Sequence, residues 1–288
     1  MNNLNLVIKL MSLCLITSAL LACSNEDDIS SVNLTLSEAD TFTASSTGSS
    51  KASDLGDSGL AFDYQMPTFI GADQAAQEAL YKQLKNQSSL SILEQKQWLL
   101  LRLSLFATDK DQSLKKLEAI TKSLAQASEQ SAKSGNQDYE LMAALGSALS
   151  YQSIFYQNDL GNMNLLSRKG MRYMDRAVKK APNHLGIRLL RGISYANMPG
   201  FLNRASFAVT DLSLLKKGLL SKSITDEQGK KTIFKKQSKS FIEFINYFLA
   251  LSLSKNEQLE SAKRLWQALE SNPDSQWSAL ASTRLKEV

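Results

Sequence analysis

The sequence predicts a mainly helical fold, and three observations carry that expectation. Proline and glycine are scarce, at 4 and 13 of 288 residues. No run of short alternating strands with turn signals at regular spacing is present, which argues against a sandwich, a barrel or a collagen-like chain. From Gly71 onward apolar residues recur at helical spacing. The chain is 43% hydrophobic and 21% charged. That is enough apolar material for one large core or two small ones, and it excludes wholesale disorder.

Residues 1–22 read as an export leader, with Lys9 as the only charge and an apolar stretch over residues 10–22 that is short for a membrane span. It ends in Leu20-Leu21-Ala22-Cys23, which resembles the lipobox of bacterial lipoprotein signal peptides. The resemblance implies cleavage after Ala22, a diacylglycerol on Cys23 and a firm membrane anchor, since several acyl chains hold far better than one. Ser24 stands where an aspartate would resemble the inner-membrane retention signal. The expected destination is therefore the cell envelope of a two-membrane bacterium, at the periplasmic face of the outer membrane.

Residues 23–67 read as a flexible tether rich in Ser, Thr, Asp and Gly. After the cysteine it holds eight acids and one base, Lys51, so it carries −7. The whole chain carries +5; setting aside Lys9 with the leader and the tether's −7 leaves the body at +11. A basic body suits anionic headgroups or acidic partner surfaces. An envelope location screens it from cytoplasmic nucleic acid, so no nucleic-acid partner is expected.

Residues 68–288 are expected to form one helical domain. Leu80 and Leu84 mark a first amphipathic helix, and Ile92, Leu99, Leu103 and Phe106 a second. Leu114, Leu117, Ile120 and Leu124 lie on one stripe of a third, with Gly135-Asn136 as its stop. From Ser167 the small and large residues Gly170, Met174 and Ala177 are followed by Pro182, then by Gly192 and Tyr195 on the next helix. Near the end, Leu249, Ala250 and Leu253 are followed by Ala262, Trp266, Leu269 and Pro273. These two stretches resemble the tetratricopeptide repeat, where small residues let paired helices approach and proline closes the second helix. A weaker match at Leu145-Gly146 and Leu149 has about twelve residues inserted around residues 158–162, by the family's spacing. The resemblance implies an all-α, right-handed array of helical hairpins, a tetratricopeptide-like solenoid. Residues 221–239 read as a lysine-rich insertion; Lys230, Lys231, Lys235, Lys236 and Lys239 flank Ile233 and Phe234, a pattern suited either to solvent or to a membrane surface.

The same resemblance implies a concave groove lined by the first helix of each pair, able to take a peptide or a partner's helix. Its register puts Glu140, Ala143, Ser147 and Ser150, then Leu189, Ile193 and Ala196, then Phe244, Tyr247, Leu251 and Ser254 at groove positions. The family's carboxylate-gripping Lys, Asn and Arg are not at these places, so an apolar partner segment or a lipid-like ligand fits better. Arg188, Arg191 and Arg204 flank the turn at residues 197–201 near Tyr195; such a group either holds a carboxylate or phosphate, or pairs with Asp211 or Asp175 to fix the helices. His184, the only histidine, reads as an exposed turn residue behind an Asn183 cap.

Catalysis is not expected. The two cysteines, Cys14 and Cys23, both lie in the leader region, leaving the body without a disulfide, a CxxC or a thiol nucleophile. There is no glycine-rich phosphate loop, HExxH or GxSxG, and no cluster of metal ligands. No cofactor or metal is expected. The sequence therefore points to a lipid-anchored adaptor or assembly scaffold with an envelope protein as partner. The alternative is a small-solute or lipid-binding accessory of a transport system.

Overall fold

The computed structural model describes residues 74–182, 184–221, 223–225, 231–233 and 239–288. The leader, Cys23 and the tether lie outside the described residues. Ten α-helices are described: α1 Gln74–Lys85, α2 Ile92–Thr108, α3 Leu114–Lys133, α4 Tyr139–Gln152, α5 Leu160–Lys180, α6 Leu185–Asn197, α7 Ala205–Ser221, α8 Lys239–Lys255, α9 Leu259–Glu270 and α10 Ser278–Lys286. Between α7 and α8, strands β1 Ser223–Thr225 and β2 Lys231–Ile233 pair antiparallel, with Ile224 opposite Thr232. Three-residue strands are too short to leave an alternating pattern, so the insertion's sequence gave no sign of them.

Each helix packs on its neighbour in sequence, and α2, α4, α6 and α8 also meet one another in succession. The hairpin of α4 and α5 is the most intimate. A Cβ added to Gly146 would lie 2.6 Å from the Gly170 carbonyl, and one on Gly170 would lie 2.5 Å from the Gly146 carbonyl. Only two glycines let these backbones approach so closely. Met174, Ala177, Tyr195, Ala262, Trp266 and Leu269, the large and small residues of the repeat-like stretches, are all buried.

The ends of the helices are set by local chemistry. Ser91 and Glu94 form a reciprocal capping box at the start of α2. Gly135, at φ 78°, closes α3 as anticipated: its amide reaches the Ala132 carbonyl and the Asn136 amide reaches Ser131. The end of α8 repeats this pairing around Glu257, a non-glycine residue held at φ 60°, with the Gln258 amide bonded to the Leu253 carbonyl. Pro182 and Pro273 follow the ends of α5 and α9, as their sequence positions suggested. Lys255 reaches back from α8 to the carbonyls of Ala196 and Met198, 2.7 Å each, and satisfies the end of α6.

The structure corrects one expectation, for Ile92, and adds detail at two places. The inserted residues after α4 make a 3₁₀ turn, Ser153–Tyr156, and lengthen α5 to 21 residues against 14 in α4. Ile92, assigned to an apolar stripe, is the exposed first residue of α2. The final segment holds a further helix, α10, that no repeat pattern signalled. Trp277 at its start is buried against Tyr247, Phe244 and Phe248, with ring centroids 5.0, 5.5 and 5.8 Å away.

Candidate functional site

The arginine cluster singled out in the sequence is assembled, and it faces inward. Arg191 on α6 is buried and donates to both oxygens of buried Asp211 on α7, Nε to Oδ2 at 2.7 Å and Nη2 to Oδ1 at 3.0 Å. Arg188 donates to the same Asp211 Oδ1 at 2.7 Å. Asp175 on α5 accepts from Arg191 at 3.1 Å, from Arg204 at 3.2 Å and from the Tyr195 hydroxyl at 2.8 Å. Arg191 and Arg204 also stand over the Phe207 ring, 5.3 and 5.5 Å from its centroid. Burial pushes the Arg191 guanidinium down, but Asp211 and Asp175 more than reverse this and keep it charged. Burial, then Asp175, drives the Tyr195 phenol up, so it stays protonated. These six residues bind α5, α6 and α7 together rather than present a free cation to a ligand.

The predicted groove is likewise filled. Glu140, Ala143, Leu189, Ala196, Phe244, Tyr247 and Leu251 are all buried, while Ser147, Ser150, Ile193 and Ser254 are half-buried. Ser147 and Ser194 share a hydrogen bond of 2.9 Å between α4 and α6. The small side chains that read as a groove floor let these helices close on each other, and α10 covers Phe244 and Tyr247. Leu189, Phe244, Tyr247 and Leu251 are therefore packed into the interior and do not line an open groove.

His184 is a second correction. It is itself the N-cap of α6: Nδ1 accepts from the Ile187 amide at 3.4 Å, and the side chain is largely buried. An acceptor at Nδ1 places the neutral ring's proton on Nε2, which lies 3.8 Å from Glu140 Oε2. Lys96 on α2 pairs with that same oxygen at 2.7 Å and with Asp138 at 2.9 Å. Burial pushes the His184 imidazole below its ordinary value despite the pull of Glu140 and Asp138. Burial pushes the Asp138 carboxyl up; Lys96 and the Leu141 amide outweigh it and hold the group below the usual carboxylate range. This cluster joins α2, α4 and α6, and sequence reading missed it. The available signal was Glu140 at the head of LMAALGSAL, a helix apolar all round that leaves an acid no exposed face.

An accessible concavity lies elsewhere. Helices α3 and α5 both lean on α4, and between them runs an open groove of about 290 Å³. Leu145 and Leu149 of α4 form its apolar floor, Thr121 and Ala125 one wall, and Tyr173 and Lys169 the other. Among the described residues there is no grouping of His, Cys, Asp and Glu able to hold a metal ion, and no helix is long and apolar enough to cross a membrane.

Compared with known proteins, the chain matches no family model, no curated protein and no solved structure. The functional reading therefore rests on its own residues.

Proposed function

We propose that this protein is a lipid-anchored envelope scaffold, a binding protein and not an enzyme, whose helices form a tetratricopeptide-like solenoid. The lipobox-like Leu20-Leu21-Ala22-Cys23 supports the anchor, and the succession α2, α4, α6, α8, each backed by a partner helix, supports the solenoid. The observation that carries the binding role is the open α3/α5 groove with its Leu145 and Leu149 floor, a shape suited to an apolar side-chain row of a partner segment. It replaces the groove first expected on α4, α6 and α8. The acidic tether supplies reach, and the partner is another envelope protein.

Crosslinking in the native cell, then purification and mass spectrometry of what remains attached, tests this reading. Discrete envelope proteins that disappear when Ala125→Arg fills the groove support it. Attachments unchanged by Ala125→Arg overturn the groove, and loss of membrane association in Cys23→Ser checks the anchor. A small amphiphile recovered from the purified protein, with no attached protein, replaces the scaffold by the carrier alternative.

A further inference from the structure

The exposed face of α5 carries six cations and no anion. Arg168, Lys169, Arg172, Arg176, Lys179 and Lys180 are all exposed, and their three- and four-residue spacing puts them on one face about 18 Å long at 1.5 Å per residue. The only acid on the helix is Asp175, already held by Arg191, Arg204 and Tyr195. Among the described residues none of the six cations makes an ion pair. On α3, across the groove, Lys116 pairs with Asp109 and Asp111 and Lys133 with Glu129, and Glu118 adds a further acid. Like charges three and four residues apart repel, so α5 bears an electrostatic cost that the acids on and beside α3 reduce there.

The apolar side chains at the start of the same helix narrow the choice of partner. Leu165 stands on the cationic face and is 58% exposed. Leu160, 50% exposed, opens the same helix, and Ile154 in the preceding 3₁₀ turn is 39% exposed. A nucleic acid or a purely acidic segment answers the charge but offers the exposed leucines no apolar surface. An anionic bilayer answers both: phosphates meet the cations, and the leucines enter the headgroup boundary.

We infer that the exposed face of α5 is a docking surface for an anionic lipid bilayer, with Arg168 to Lys180 on the headgroups and Leu165 at the interface. This deepens the scaffold reading by giving the tethered body a preferred orientation on a membrane. It does not depend on the protein partner, so the two fail separately.

The test uses the full chain with Cys23→Ser, so that no acyl group contributes. Its co-sedimentation with vesicles of phosphatidylglycerol and phosphatidylcholine is compared with that on phosphatidylcholine alone. The expected result is binding to the anionic vesicles only, suppressed by high salt. Arg172→Glu with Arg176→Glu should weaken it by about tenfold or more, at a few-fold per charge near an anionic surface. Lys82→Glu with Lys85→Glu on α1 makes the same charge change elsewhere and should leave binding within about twofold. Leu165→Glu should weaken it without altering the circular dichroism. Absence of binding, equal binding to neutral vesicles, or an equal loss in the α1 variant overturns the proposal. Stripe-dependent binding to poly-glutamate without binding to vesicles overturns it in favour of an acidic protein.

Discussion

Arg191 and Asp211 face each other with two parallel hydrogen bonds of 2.7 and 3.0 Å, both side chains buried where α6 crosses α7. Removing one partner strands the other's charge in the interior. Asp211→Ala is therefore expected to cost about 3–5 kcal/mol, read as a lowered urea midpoint. Arg191→Met combined with Asp211→Leu, which removes both charges, should recover a large part of that loss. A double variant no more stable than the single one would show that the geometry of the pair, not its charge, holds the crossing.

Acid should weaken the fold through His184. Its folded pKa lies below the ordinary 6.5. Between those two values the unfolded chain binds a proton that the folded chain does not, so stability falls as pH falls below about 6.5 and is flat above it, with a slope of at most ~1.4 kcal/mol per pH unit. Protonation also puts a hydrogen on Nδ1, the atom that accepts from the Ile187 amide. His184→Asn keeps a capping acceptor and removes the titration. Urea midpoints between pH 7 and 5 should slope for the parent and flatten for the variant. Asp138, held low, adds a separate loss at more acid pH, as the carboxyl protonates through its folded value.

Gly170→Ala should destabilise although alanine is the better helix former. A methyl there meets the Gly146 carbonyl at 2.5 Å, and backbone cannot turn aside. Overpacking of this kind costs about 1–3 kcal/mol, which outweighs a propensity gain of about 1 kcal/mol. Thermal melts monitored by circular dichroism decide the sign. A raised melting temperature would mean that α4 and α5 can part without cost.

Glu257→Gly should act in the opposite direction. Glu257 is exposed and sits at φ 60° in the closing turn of α8, a conformation that costs a side chain about 1–2 kcal/mol and glycine little. A gain of about 1 kcal/mol is expected, after allowing for the greater freedom of glycine in the unfolded chain. The same melts measure it.

Much of the fold was legible because its signals are local. Gly135, Pro182 and Pro273 mark where helices end, and Gly146 with Gly170 mark a close crossing; each follows from one residue's backbone chemistry. The inward pairing of Arg191 with Asp211 and Asp175 was one of two readings open in the sequence, since a charge's partner is set by helices that meet only in space. The groove was misplaced for a related reason. Small residues such as Ala143 and Ala196 suit either an open floor or a tight contact, and only packing decides. Helix α10 and the cluster of Lys96, Asp138, Glu140 and His184 left almost no trace, because they depend on contacts across many residues. The membrane anchor at Cys23 and the tether lie outside the described residues and stay proposals.

The segment that leads into helix α10 decides what covers the aromatic side chains of α8. Left uncovered, Phe244 and Tyr247 would put a large apolar patch in water, and such a patch invites association with other molecules. Trp277 lies against Phe244 and Tyr247 and covers that patch from within. A segment of the same chain thus takes the place that a partner's apolar side chain would otherwise fill.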